Sequence, residues 1–116
     1  MSFVFDIGDE TVWSPGNLVA ELYLGTVDTL TRLLDQPSGL TDLAGTWFTI
    51  EPDTYRNFVA ELLRVYTDSG HWEFRCLLRG PLIVSIGILH RAGIPLAGQT
   101  DDEVAALAEL RTELPL

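Results

Sequence analysis

Residues 71–92 read HWEFRCLLRGPLIVSIGILHRA, and the fold class turns on whether they form a helix or contain a strand. Leu82-Ile83-Val84-Ser85-Ile86-Gly87-Ile88 has the apolar, β-branched density of a buried strand. Yet Phe74, Leu77, Leu78, Leu82, Ser85, Ile86 and Leu89 keep three- and four-residue spacing across the whole stretch, and Gly93 stands where a helix stop belongs. The spacing favours a helix over 71–92 with these residues inward, and a strand over 82–89 is the alternative. Gly80-Pro81 must kink or break such a helix, because proline lacks a backbone donor and crowds the preceding turn.

Working outward, Glu51-Pro52-Asp53 opens a second helix whose stripe is Tyr55, Phe58, Val59, Leu62, Leu63 and Tyr66, stopped by Ser69-Gly70. On the other side, Thr100-Asp101-Asp102-Glu103 is a capping box for a last helix carrying Val104, Leu107 and Leu110. At the amino end, Phe3, Phe5 and Ile7 alternate with Val4 and Asp6, as in a half-buried strand. Gly8-Asp9 turns the chain, and Thr11-Val12-Trp13 returns it as a hairpin. Ser14-Pro15 then reads as an N-cap and first helical residue, followed by Leu18, Val19, Leu22, Tyr23, Val27, Leu30, Leu33 and Leu34 as the inward stripe. Thr46 to Ile50 is a third strand by β propensity. The order predicts an α+β fold: an N-terminal hairpin plus a third strand in a small antiparallel sheet, covered on one face by about four helices. At 116 residues, a single domain spanning 1–116 is expected.

Composition narrows the chemistry. All seven basic residues are arginine, so no lysine is present for a Schiff base or a phosphate-binding loop. The single cysteine, Cys76, excludes an internal disulfide and thiolate-rich zinc sites, and on its helix it reads as a small core residue. The longest apolar run, Gly80 to Leu89, is far short of the roughly 20 residues a membrane helix needs, and no basic, cleavable leader opens the sequence. A cytoplasmic protein is expected. Seventeen acids give a net charge of −10, of which −8 lies in residues 1–55 and −2 in residues 56–116. Such a field repels phosphate backbones and anionic lipid and favours a cationic partner.

The residues expected to meet that partner are Asp6, Asp9, Glu10, Glu21, Asp28 and Asp42 as the source of the field, with Trp13 or Trp47 as an apolar anchor. Asp6, Asp9 and Glu10 lack the ligand spacing and glycine bend of a Ca²⁺ loop, and a polar turn explains them more simply. Asp101, Asp102 and Glu103 are accounted for by capping and the helix dipole. His71, Arg75 and Arg79 share one helix face, which suits either an anion or pairing with the chain's own acids. No serine lies in a nucleophile elbow, and no metal, cofactor or catalytic residue is expected.

Phe5-Asp6-Ile7-Gly8-Asp9 followed by Val12-Trp13-Ser14-Pro15, with Ile50-Glu51-Pro52, Ser69-Gly70-His71 and Arg91-Ala92-Gly93 further on, resembles a family of small acidic actinobacterial proteins of unknown function over about residues 3–95. The resemblance lies in turns, caps and helix stops, and it brings no activity or site residue with it. From the residues themselves two functions remain open. One is a non-enzymatic acidic binding protein of the immunity type, neutralising a basic protein partner. The other is a small-molecule-binding or accessory protein with a pocket between sheet and helices lined by Tyr23, Trp47, Phe58 and Trp72.

Overall fold

The structure, a computed structural model, describes residues 2–114. The first strand, β1 (Val4–Ile7), turns at Gly8, whose φ of +60° suits a residue without a Cβ, into β2 (Glu10–Trp13). The pair is antiparallel, with Phe5 opposite Trp13 and Asp6 opposite Thr11. The register shifts between those two pairs, leaving Val12 as the extra residue of a bulge.

Ser14-Pro15 does not open the next helix, contrary to the sequence expectation. The Ser14 hydroxyl donates to the Phe3 carbonyl at 2.9 Å, and the Phe3 N–H donates to the Pro15 carbonyl at 3.0 Å. These bonds hold residues 14–16 extended beside the first strand, so α1 (Asn17–Leu34) starts later, with Gly16 at its N-cap. Its buried stripe is also narrower than expected: Ala20, Tyr23, Val27 and Leu30. The leucine spacing fits two faces of the helix, and the polar requirement of Tyr23 decides between them. Its ring meets Trp13 edge-on at 5.2 Å, and its hydroxyl lies 2.7 Å from that of Tyr55, also buried. Leu18, Val19, Leu22 and Leu33 are left exposed.

The sheet differs from the expected three antiparallel strands. A short additional strand, β3 (Leu40–Asp42), pairs antiparallel with β4 (Trp47–Ile50), and the order across the sheet is β2-β1-β4-β3. β4 therefore lies beside β1, and the two run parallel. With α1 returning the chain, the third strand runs alongside the sheet's far edge and the fourth comes back in the direction of the first. The sheet is mixed, with four strands, and the fold is α+β with four helices. Gly39, at φ +81°, sits tight under the next helix: a Cβ there would lie 3.0 Å from Glu51 O, Thr54 Cβ and Tyr55 N.

The chain clusters into two compact units, Met1–Phe58 and Val59–Leu116, the division falling within α2 (Pro52–Asp68). Tyr55, Phe58, Val59, Leu62, Leu63 and Tyr66, the expected stripe of this helix, are all buried. The segment around residues 71–92 is helical throughout as α3 (Trp72–Ala92), so residues 82–89 are helix and not strand. Pro81 sits inside it. The residue that its missing N–H leaves unserved, Leu77, is exposed and not inward as expected, so water can reach that turn. Leu78, Leu82, Ser85, Ile86 and Leu89 are buried, and the Ser85 hydroxyl donates to the Pro81 carbonyl at 2.7 Å. Gly93, in left-handed conformation, ends the helix, with Ile94 N–H donating to Leu89 O. α4 (Asp101–Arg111) opens as its capping box predicts, the Thr100 hydroxyl accepting from Glu103 N–H at 3.2 Å.

At the start of α2, hydrogen bonds from the Thr54 hydroxyl and then the Thr54 N–H hold Glu51 below its ordinary carboxylate value of 4.5. A lowered folded value means that this group stabilises the fold above about pH 4.5 and loses that contribution as pH falls through the folded value. Glu51→Gln should therefore lower the urea midpoint at pH 7 and have little effect at pH 3. Equal losses at both pH values would show that charge is not the operative property.

Candidate partner-binding face

In the first unit, strand alternation sorts the sheet into two faces. Phe3, Phe5, Phe48 and Ile50 are buried on the inner face, the Phe5 ring 5.2 Å from Phe48 and 5.0 Å from Trp13. On the outer face, parallel pairing sets Val4 beside Trp47 and Asp6 beside Thr49, and the flanking strands add Thr11 and Thr41 to the Asp6–Thr49 row.

Asp6 and Trp47 form the fixed point of this face. The Trp47 indole N–H donates to Asp6 Oδ2 at 2.9 Å, and the Thr11 hydroxyl donates to Asp6 Oδ1 at 2.6 Å. Both carboxylate oxygens are thus engaged, and the indole ring is tethered at its polar corner. Trp47 nevertheless keeps 48% of its surface open to solvent. A large ring restrained before binding loses less side-chain freedom when a partner covers it.

The other expected site residues are scattered. Trp13 shares the inner face with Phe5 and packs on Tyr23, so it belongs to the interior of its unit. Asp9 and Glu10 are exposed at the hairpin, and Glu21 and Asp28 are exposed on α1. Asp42 is exposed on β3, where its Oδ1 accepts from Gly45 N–H at 2.6 Å and closes the turn into β4. The structure therefore joins Asp6 and Trp47 and adds Thr11, whose place opposite Asp6 depends on the bulged register.

In the second unit, two members of the expected stripe, Arg75 and Arg79 on α3, are engaged by their own surroundings, while His71 is exposed at the helix N-cap. Arg79 donates to Glu113 at 2.6 Å and to the Tyr66 hydroxyl at 3.1 Å, which raises its already high pKa, Glu113 contributing most. The Arg75 guanidinium lies 4.7 Å from the centre of the Tyr66 ring, in cation–π contact. Arg64 bridges Glu61 and Asp68 along α2, which lowers the Glu61 carboxyl. Cys76, expected in the core, is exposed: two residues from buried Leu78, it is turned about 200° away from it.

The aromatic residues expected to line a pocket differ in burial. Tyr23 and Phe58 are buried, whereas Trp47 and Trp72 are exposed. A cavity of about 280 Å³ in the second unit is aliphatic, walled by Ile86, Leu89, Ile94, Pro95 and Leu96 with His90 and Arg111 beside them. Among the described residues, no group of three or more His, Cys, Asp or Glu is placed to hold a metal ion. No described helix is long and apolar enough to cross a membrane.

The arrangement defines a small α+β protein with a mixed four-stranded sheet, an aromatic-carboxylate pair on the sheet's outer face and four helices. The chain belongs to DUF6086, a family of unknown function whose model matches residues 1–115. No curated protein and no solved structure matches it.

Proposed function

We propose that this chain is a non-enzymatic acidic binding protein of the immunity type, which engages a basic protein partner through the outer face of its sheet. The observation that carries the reading is Trp47, half-exposed yet tethered through its indole N–H to Asp6. It lies in the part of the sequence, residues 1–55, that holds −8 of the net −10 charge. The two features have separate roles. The charge attracts a basic surface and speeds encounter, but salt screens it with a Debye length of about 8 Å at physiological ionic strength. Residence needs an apolar contact that loses its water, which the indole supplies.

The partner is to be captured on the immobilised chain at low salt and identified, and both rate constants measured across a salt series. Trp47→Ala should speed dissociation by about 30-fold, corresponding to about 2 kcal/mol at an anchoring aromatic, with little change in the association rate. Asp9→Asn with Glu10→Gln should slow association and flatten its salt dependence. An association rate indifferent to salt, or an interface mapped to His71, Arg75 and Arg79, would overturn the reading.

A further inference from the structure

The outer face of α1 has no role in the fold of its own unit or in the function proposed above, and it is strongly apolar. Leu18, Leu22 and Leu33 are 83%, 74% and 66% exposed. At 100° per residue they share an arc of about 100° with Gly25, Thr26 and Thr29. The two hydroxyls on this arc add little polarity. Thr26 donates to the Leu22 carbonyl at 2.7 Å and Thr29 to the Gly25 carbonyl at 3.1 Å, so both hydroxyls are satisfied within the helix.

Gly25 is the second observation. Glycine is the poorest residue for a helix interior after proline. Nothing lies within 4 Å of a Cβ built at Gly25, so no neighbour in this chain requires its absence. It stands midway along the length of the leucine face, at one edge of its arc, where a small residue allows another helix backbone to approach closely.

The order of residues along the face shows what that other helix is. About a midpoint between Gly25 and Thr26 the face is nearly symmetric: Leu18 mirrors Leu33, and Leu22 mirrors Thr29. Glu21, Arg32 and, farther round, Asp28 lie on one flank of the face, and Arg32 is the one basic residue in 1–55. Among the described residues it makes no ion pair. An antiparallel second α1 with its two-fold axis at this midpoint would bring Leu18 against Leu33 of the second copy. It would also set Arg32 within about 3 Å, along the axis, of the level of Glu21 of the second copy. We infer that the chain forms a two-fold dimer through antiparallel packing of α1, with Gly25 at the helix crossing and reciprocal Glu21–Arg32 pairs along its rim. This inference does not depend on the proposed function. Trp47 and Asp6 lie on the sheet face turned away from the one that α1 covers, so each copy would keep that face free.

The test is sedimentation velocity on the full chain from about 1 to 200 μM at 150 mM salt, where repulsion between the two acidic copies is largely screened. The wild-type chain should move from its 12.8 kDa monomer mass to twice that value as concentration rises. Leu22→Asp should abolish the heavier species. Gly25→Ala should weaken association at least tenfold and yet raise the melting temperature of the monomer, because alanine is the better helix former. That opposite movement cannot come from a general loss of folding. Glu21→Arg should weaken association, and Glu21→Arg combined with Arg32→Glu should restore it. A wild-type chain that stays monomeric throughout, or a dimer indifferent to Leu22→Asp and Gly25→Ala, would overturn the inference.

Discussion

Phe5→Ala should lower the unfolding free energy by about 3–5 kcal/mol and the melting temperature by roughly 10–25 °C. Phe5 is fully buried at the centre of an aromatic cluster, stacked on Phe48 at 5.2 Å and tilted against Trp13 at 5.0 Å. Truncation removes the transfer free energy of the ring and leaves a cavity that its neighbours fill only in part. Those neighbours come from both flanking strands, Trp13 from β2 and Phe48 from β4, so collapse into the space would disturb two strand pairings at once. Phe5→Leu keeps most of the volume and should cost less than about 1.5 kcal/mol. Urea denaturation of the three proteins measures both effects. A Phe5→Ala loss below about 1 kcal/mol would mean that this cluster is not the core of its unit.

Gly39→Ala should cost about 2–4 kcal/mol, for two reasons that a second variant separates. The first is conformational: at φ +81° an alanine is strained by roughly 1–2 kcal/mol. The second is contact, because the new Cβ would lie 3.0 Å from two backbone atoms of Glu51 and Tyr55 and from Thr54 Cβ. Backbone at a helix start cannot swing aside as a flexible side chain can. Gly45 has φ +77° with nothing within 4 Å of its Cβ, so Gly45→Ala carries the conformational cost alone. The difference between the two variants reports the crowding. Equal losses would show that the segment at Gly39 gives way freely.

The helices were legible in the sequence because their signals are local. The stripe from Tyr55 to Tyr66 and the capping box at Thr100 need only neighbours within a turn or two. The additional strand was not legible, since Leu40-Thr41-Asp42 has one apolar residue in three and becomes a strand only because β4 offers it an edge. α1 marks an intermediate case. Eight apolar residues fit a helix, but the buried half is selected by Trp13 and Tyr55, which lie elsewhere in the sequence. Within the candidate site, the charge bias and the choice of Trp47 came from composition and residue type. The contact between Asp6 and Trp47 depends on a parallel pairing that no local pattern encodes. Thr11 escaped notice because hydroxyl residues at strand positions are common, and its partner is fixed by a bulge.

That parallel pairing also bears on how the first unit acquires its structure. β1 and β2 meet across a two-residue turn, and β3 and β4 across a short loop, so either hairpin can zip by local encounter. Val4 and Trp47, in contrast, stand 43 positions apart, and their alignment must close a loop that contains the whole of α1. Loop closure of this kind costs entropy before it returns any contact, and it is the step expected to limit the folding rate. The folding rate should accordingly be sensitive to substitutions at Phe5 and Phe48, where the two ribbons join, and also to those at the hairpin tips, Gly8 and Gly45, because hairpins already zipped at the limiting step carry their losses into that rate. The sheet would then assemble from its edges inward, with its central seam the last part to form.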